Sequence, residues 1–134
     1  AGEDIGTLEA LERVRTGLGQ GISYRDLSEL LDEARVQVAS LKKDKVDDCF
    51  HAAVNESYYW YDLGRKTWET MMKNAEQRDK YFRQATYGEH GMKSINMTMA
   101  RNYDRLVKHT QDALPTKWEH GSAALEEAHR CLEP

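Results

Sequence analysis

Residues 22–41 read ISYRDLSELLDEARVQVASL, and this stretch decides the fold class. Leu27, Leu30, Leu31, Ala34, Val38 and Leu41 recur at a helical spacing and leave Arg25, Glu29, Asp32, Glu33 and Arg35 for the opposite side. That is one apolar stripe on a helix. Its start is marked as well. Ser23 supplies an N-cap oxygen, while Ile22 before it and Leu27 after it are placed to form a hydrophobic staple.

The same pattern extends in both directions. Upstream, Leu8, Leu11, Val14 and Leu18 predict a short N-terminal helix over residues 7–18, ended by Gly19-Gln20-Gly21. Downstream, Lys42–Lys45 is a charged turn. A second long stripe follows: Val46, Cys49/Phe50, Ala53, Ser57, Trp60/Tyr61, Gly64, Trp68 and Met71/Met72. Small residues at Ala53, Ser57 and Gly64 would admit a neighbouring helix closely, which is a reason to accept the ~1 kcal/mol that a mid-helix glycine costs. The polar run from Asn74 to Asp79 is expected to turn. A further stripe carries Tyr81, Ala85, Gly88, Met92, Ile95, Met99, Tyr103, Leu106 and Thr110, with a kink or break expected where Gly88 and Gly91 bracket Glu89-His90. Leu114-Pro115 should stop this helix, and Thr116–Glu119 reads as a capping box opening a last one with Trp118, Gly121, Leu125, Ala128 and Leu132.

Helices near 23–43, 45–73, 78–113 and 116–132, joined by short connections, imply antiparallel neighbours. The expected architecture is therefore all-α: an antiparallel up-down four-helix bundle with a short extra N-terminal helix, in one domain spanning 1–134. Period-2 alternation bounded by hairpin turns is absent from the sequence, which argues against a sheet.

Composition narrows the function classes. The 134 residues carry 19 Lys/Arg against 23 Asp/Glu, a formal −4 with the signs interspersed, so no basic stripe is present to neutralise phosphates and nucleic acid is not an expected partner. With 40% apolar and 31% charged residues the chain is expected to be a soluble globule. No apolar run approaches the ~18 residues needed to cross a membrane. Residue 1 is Ala rather than Met, so an upstream segment is expected, either a removed signal peptide or the rest of a longer chain. An exported, periplasmic location is slightly favoured.

Most candidate chemistry fails on helical geometry. Glu126/His129 and Asp48/His51 have the spacing of paired helical metal ligands, yet Glu126 lies ~120° from the centre of its apolar stripe, so solvated surface is the expectation. Met92, Met97 and Met99 near His90 could suggest a soft metal site. Met92 and Met99 belong to the core stripe, however, while His90 and Met97 point the other way, so methionine as core filler is expected. No cofactor and no metal are expected. Glycines 17, 19 and 21 follow no strand and terminate a helix. No nucleophile–base arrangement is recognisable. Two glycosylation sequons, Asn55-Glu56-Ser57 and Asn96-Met97-Thr98, sit within predicted helices and read as chance.

One run remains. Tyr58-Tyr59-Trp60-Tyr61 sweeps four rings round ~300° of helix. Trp60 and Tyr61 straddle the core stripe, Tyr58 flanks it, and Tyr59 falls among Asn55, Asp62 and Lys66. Either neighbouring helices cover these rings, or they form a contact surface where Tyr and Trp are favoured, for a homodimer or a protein partner. The leading expectation is a non-catalytic helical interaction or structural module, of accessory or sensor type. The alternative is a small-molecule-binding bundle whose pocket is lined by Tyr58, Trp60, Tyr61, Trp68 and core methionines. Cys49 and Cys131 are expected to stay unpaired: a turn at Pro115 would leave them offset by ~17 Å along the bundle, against the ~4.4–6.8 Å between Cα atoms that a disulfide needs.

Overall fold

In the computed structural model of the chain, residues 2–87 and 92–134 are described. Helix accounts for 89% of them. The elements are α1 (Gly2–Gly19), α2 (Tyr24–Ser40), α3 (Asp48–Tyr87) and α4 (Lys93–Cys131), with no strand among the described residues. Among the described residues, no helix is long and apolar enough to cross a membrane. The fold is an all-α antiparallel helical bundle. The expected break between Gly88 and Gly91 lies outside the described residues.

The start of α2 follows its expected cap, and that of α3 has one the sequence reading did not single out. Ser23 accepts the Asp26 backbone N–H at 3.1 Å. Asp47 opens α3 by accepting from the N–H groups of Cys49 at 2.8 Å and Phe50 at 3.3 Å. Gly21, at φ +76°, takes the left-handed conformation that lets α1 turn into α2.

Two expected boundaries are absent, each for a physical reason. α3 runs through Asn74–Asp79, because that polar stretch holds no glycine or proline and Ala75, Glu76, Gln77 and Arg78 are good helix formers. α4 runs through Pro115. A mid-helix proline leaves the carbonyl four residues back without its donor, but Pro115 and Gln111 are both exposed, so water can satisfy it. The capping box at Thr116–Glu119 is thus helix interior.

The chain divides into two compact units, one of residues 1–65 with 115–134 and one of residues 66–114. The first is a closed four-helix bundle in which α1 takes a full place. Arg13 of α1 reaches Glu33 of α2 at 2.5 Å, Arg65 of α3 reaches Asp32 of α2 at 3.1 Å, Ser57 of α3 reaches Gly121 of α4, and His129 of α4 reaches Glu12 of α1 at 2.9 Å. Each helix therefore runs antiparallel to the next. The core is built of Leu11, Val14, Leu27, Leu31, Phe50, Val54, Tyr61 and Leu125, none of them measurably exposed.

The unbroken α4 also corrects the cysteines. Antiparallel to α3 throughout this unit, it returns its C-terminal end to the start of α3. Cys49 and Cys131 lie with Cα atoms 5.7 Å apart and are joined as a disulfide. The assumed turn at Pro115 was the faulty step in expecting free thiols.

The second unit is a helical hairpin made from the end of α3 and the beginning of α4. Its buried apolar side chains are small: Ala85, Ala100 and Val107 among the described residues, with Asn96 beside them at 8% exposure.

Candidate functional site

The four consecutive rings of α3 are sent to different surroundings. Tyr61 is fully buried, and its ring lies over Gly121 of α4, where an added Cβ would come within 2.8 Å of it. Its hydroxyl shares a 2.8 Å hydrogen bond with Ser122, and burial holds its pKa above the ordinary value. The exchange is reciprocal, because Trp118 of α4 lies over Gly64 of α3 so closely that a Cβ there would stand 2.1 Å from the ring. Gly64 was expected to admit a helix. What it admits is one indole, and Gly121 admits one phenol ring in return. Ser57 completes the seam by donating to the Gly121 carbonyl at 2.8 Å while fully buried.

Trp60 turns to the other side of that seam and stacks on His120, with centroids 4.5 Å apart and planes 28° from parallel. Tyr59 meets Trp60 edge-on at 5.5 Å and is otherwise open to solvent, 58% exposed. Tyr58 is half-buried close to Asp62, Arg65, Arg35 and Asp32, with its pKa raised by burial first and by the Asp62 charge second. Trp68 belongs to the second unit. The expected binding set of Tyr58, Tyr59, Trp60, Tyr61 and Trp68 is therefore dispersed: Tyr61 serves the core, Trp60 and Tyr58 line two different helix seams, and Tyr59 is the most open to solvent of the four consecutive rings. Concavities of about 500 and 400 Å³ lie elsewhere, along α1, and share Glu12 and Arg13.

The helical metal-spacing pair of Glu126 and His129 acts in polar bridges between helices. Arg15 of α1 contacts both Glu12 and Glu126, and His129 contacts Glu12. The hydrogen bond from Arg15 holds the Glu126 carboxyl below the usual carboxylate range. Cys49, Cys131 and Glu127 come together, but the two sulfurs are bonded to each other. Of the sequon asparagines, Asn55 is exposed and donates to the His51 carbonyl at 2.7 Å, and Asn96 is buried.

The surface that sequence reasoning misplaced is in the hairpin. Met92, Ile95 and Leu106 were expected on the core stripe, and they are 48%, 57% and 47% exposed. The inward line of α4 here is Asn96, Ala100 and Val107, one residue further round. Phe82, Tyr87 and Met72 of α3 are exposed as well. The hairpin is held instead by Tyr81 stacked on Tyr103, with centroids 5.7 Å apart and planes 10° from parallel. Arg78 adds ion pairs to Asp79 and Asp104 at 3.1 Å each. The signal available in the sequence was the width of the stripe. Met92, Ile95, Met99 and Leu106 beside Asn96, Ala100, Tyr103 and Val107 cover more of α4 than a single partner helix can shield.

No protein-family model, curated protein or solved structure matches this chain, so its function is to be sought in the surfaces just described.

Proposed function

We propose that this chain is a non-catalytic contact module: a disulfide-braced four-helix bundle bearing a helical hairpin that binds a protein partner through exposed apolar side chains. One observation carries the reading. The hairpin keeps three small apolar residues inside and leaves Met72, Phe82, Tyr87, Met92, Ile95 and Leu106 outside. Full burial of such a side chain is worth about 1.5–3 kcal/mol, and these residues, most of them about half exposed, forgo roughly half of it. A hairpin selected only to fold would place such residues between its helices. Met92, Ile95 and Leu106 fall within about 60° of one face of α4, and large exposed apolar residues gathered on one face are the mark of a contact surface.

The disulfide supports an oxidising compartment, hence export, because such bonds persist there and are rare where thiols are kept reduced. Against catalysis stands the division of labour already described: Glu126 is engaged by Arg15, and His129 and Glu12 by a hydrogen bond to each other, in bridges between α1 and α4.

The test asks whether these side chains serve the fold or a contact. Ile95→Glu and Leu106→Glu are each expected to leave helicity and thermal midpoint unchanged, within the ~0.5 kcal/mol usual for surface positions. Dye binding to exposed apolar surface should fall. A loss of several degrees in midpoint in both variants would show that the residues hold the hairpin together, and would refute the contact reading.

A further inference from the structure

The hairpin's charge is concentrated at one end. Residues 66–114 hold nine Lys/Arg against six Asp/Glu. Over residues 66–79 and 102–114 the signs balance, five against five. The whole excess falls within residues 80–101, where Lys80, Arg83, Lys93 and Arg101 stand against Glu89 alone. These four cations are exposed and have no ion-pair partner among the described residues. Two of them converge, because Lys93 and Arg101 line one concavity of about 490 Å³ with Ser94, Met97 and Thr98.

Exposed apolar side chains gather at the same end. Tyr81 stacks on Tyr103 and Arg78 pairs with Asp104. Residues after 81 on α3 and before 103 on α4 therefore lie beyond that level, toward the end where α3 gives way to α4. Phe82, Tyr87, Met92 and Ile95 are all there, and Tyr87 at 86% is more exposed than any other large apolar side chain described. Of those described as exposed in the hairpin, Met72 and Leu106 alone lie back along the shaft.

How these groups are arranged says what fits them. Phe82 and Tyr87 are five residues apart, hence ~140° apart round α3. A partner helix laid along the hairpin covers one of the two. A planar interface met end-on reaches side chains at every angle, provided that they lie at one depth. Residues 80–87 span roughly 12 Å of α3, close to the about 5–10 Å over which apolar faces sink into the boundary between lipid headgroups and acyl chains. A tyrosine ring with its hydroxyl suits that boundary. The long stems of lysine and arginine let their charges stay at the level of the phosphates. A local excess of cations selects anionic lipid over neutral.

We propose that the end of the hairpin, residues 80–87 of α3 with 92–101 of α4, docks end-on to an anionic lipid surface. Phe82 and Tyr87 enter the interface, and Lys80, Arg83, Lys93 and Arg101 meet the lipid phosphates. This goes beyond the protein-contact reading and leaves the shaft to it. Leu106 is roughly 20 Å along α4 from Lys93 and stands clear of the interface.

The experiment is co-sedimentation of the intact, disulfide-bonded chain with vesicles of phosphatidylcholine, either alone or mixed with phosphatidylserine. The chain should bind the mixed vesicles, and several-fold more weakly as salt is raised. It should bind phosphatidylcholine alone far less. One cation beside an anionic surface is worth about fivefold in affinity, so Lys80→Glu/Arg83→Glu should weaken binding at least tenfold. Phe82→Ser/Tyr87→Ser should weaken it comparably, with helicity unchanged because both side chains are exposed. Leu106→Glu should leave it unchanged. Binding as tight to phosphatidylcholine alone, or untouched by the charge reversal, would overturn the proposal. Binding lost with a normally folded Leu106→Glu would mean docking along the shaft and overturn the end-on account. Failure of the intact chain to bind the mixed vesicles would overturn the proposal alone. The protein-contact reading would still stand or fall on the thermal midpoints of Ile95→Glu and Leu106→Glu.

Discussion

Replacing Gly64 with alanine should destabilise this protein, although alanine is the better helix former. The Cβ would stand 2.1 Å from Cζ3 and 2.5 Å from Cη2 of Trp118. A planar ring cannot bend away locally, so the indole must retreat by roughly 1 Å or leave its place over α3. Overpacking of this kind costs about 1–3 kcal/mol, and the gain in helix propensity returns ~1 kcal/mol. The expected net loss is up to about 2 kcal/mol, a fall of up to roughly 7 °C in melting temperature for a chain of this size. The decisive comparison is a double-mutant cycle followed by urea and thermal unfolding. In a Trp118→Ala background the obstruction is gone, and Gly64→Ala should become neutral or stabilising by up to ~1 kcal/mol, so the two sites couple by about 2 kcal/mol. Gly64→Ala that stabilises the wild-type chain, or that has one effect in both backgrounds, would refute the account of α3 and α4 as an aromatic-into-glycine seam.

Further expectations concern the disulfide and the ion bridges. Without reductant the intact mass should be two hydrogens below that of the dithiol, with no site open to alkylation; two free thiols would contradict the placement of α4. Cys49→Ser/Cys131→Ser removes a cross-link over 82 residues, for which chain entropy alone sets an upper figure of about 4–5 kcal/mol, and a loss of about 3 kcal/mol is expected in chemical denaturation. Glu126 is held below its ordinary pKa by the hydrogen bond from Arg15. Its contribution to stability is therefore present above the usual glutamate value of about 4.3 and is lost as pH falls through the lowered folded value. Arg15→Gln should move the Glu126 carboxyl titration, followed by NMR, back up toward that ordinary value. An unmoved titration would mean that the bridge does not hold the carboxyl.

The sequence alone determined that this chain is helical and that Ser23 begins α2. Spacing along α2 and the side-chain chemistry of Ser23 are local properties, and a cap needs only its own turn to form. Gly64 as a place of close approach was also legible, because a glycine inside a strong helical stripe calls for a neighbour. Pro115 was not legible. Whether a proline ends a helix depends on what surrounds the carbonyl it orphans, and on how much burial either side would be lost by stopping. With Leu125 and Ala128 beyond it fully buried in the first unit, α4 continues. That continuity brought Cys131 to Cys49, a pairing that no local pattern could show across a separation of 82 residues. The aromatic run showed the same limit. Four adjacent rings look like one site in the sequence, but a helix turns ~100° per residue, so consecutive side chains meet different neighbours. The apolar line of Met92, Ile95 and Leu106 was visible as a stripe, and only the tertiary structure could say which way it faces. Periodicity gives the angle between side chains on a helix, but not which angle the neighbouring helix covers. In this hairpin α3 covers Ala100 and Val107 and leaves the larger residues to water.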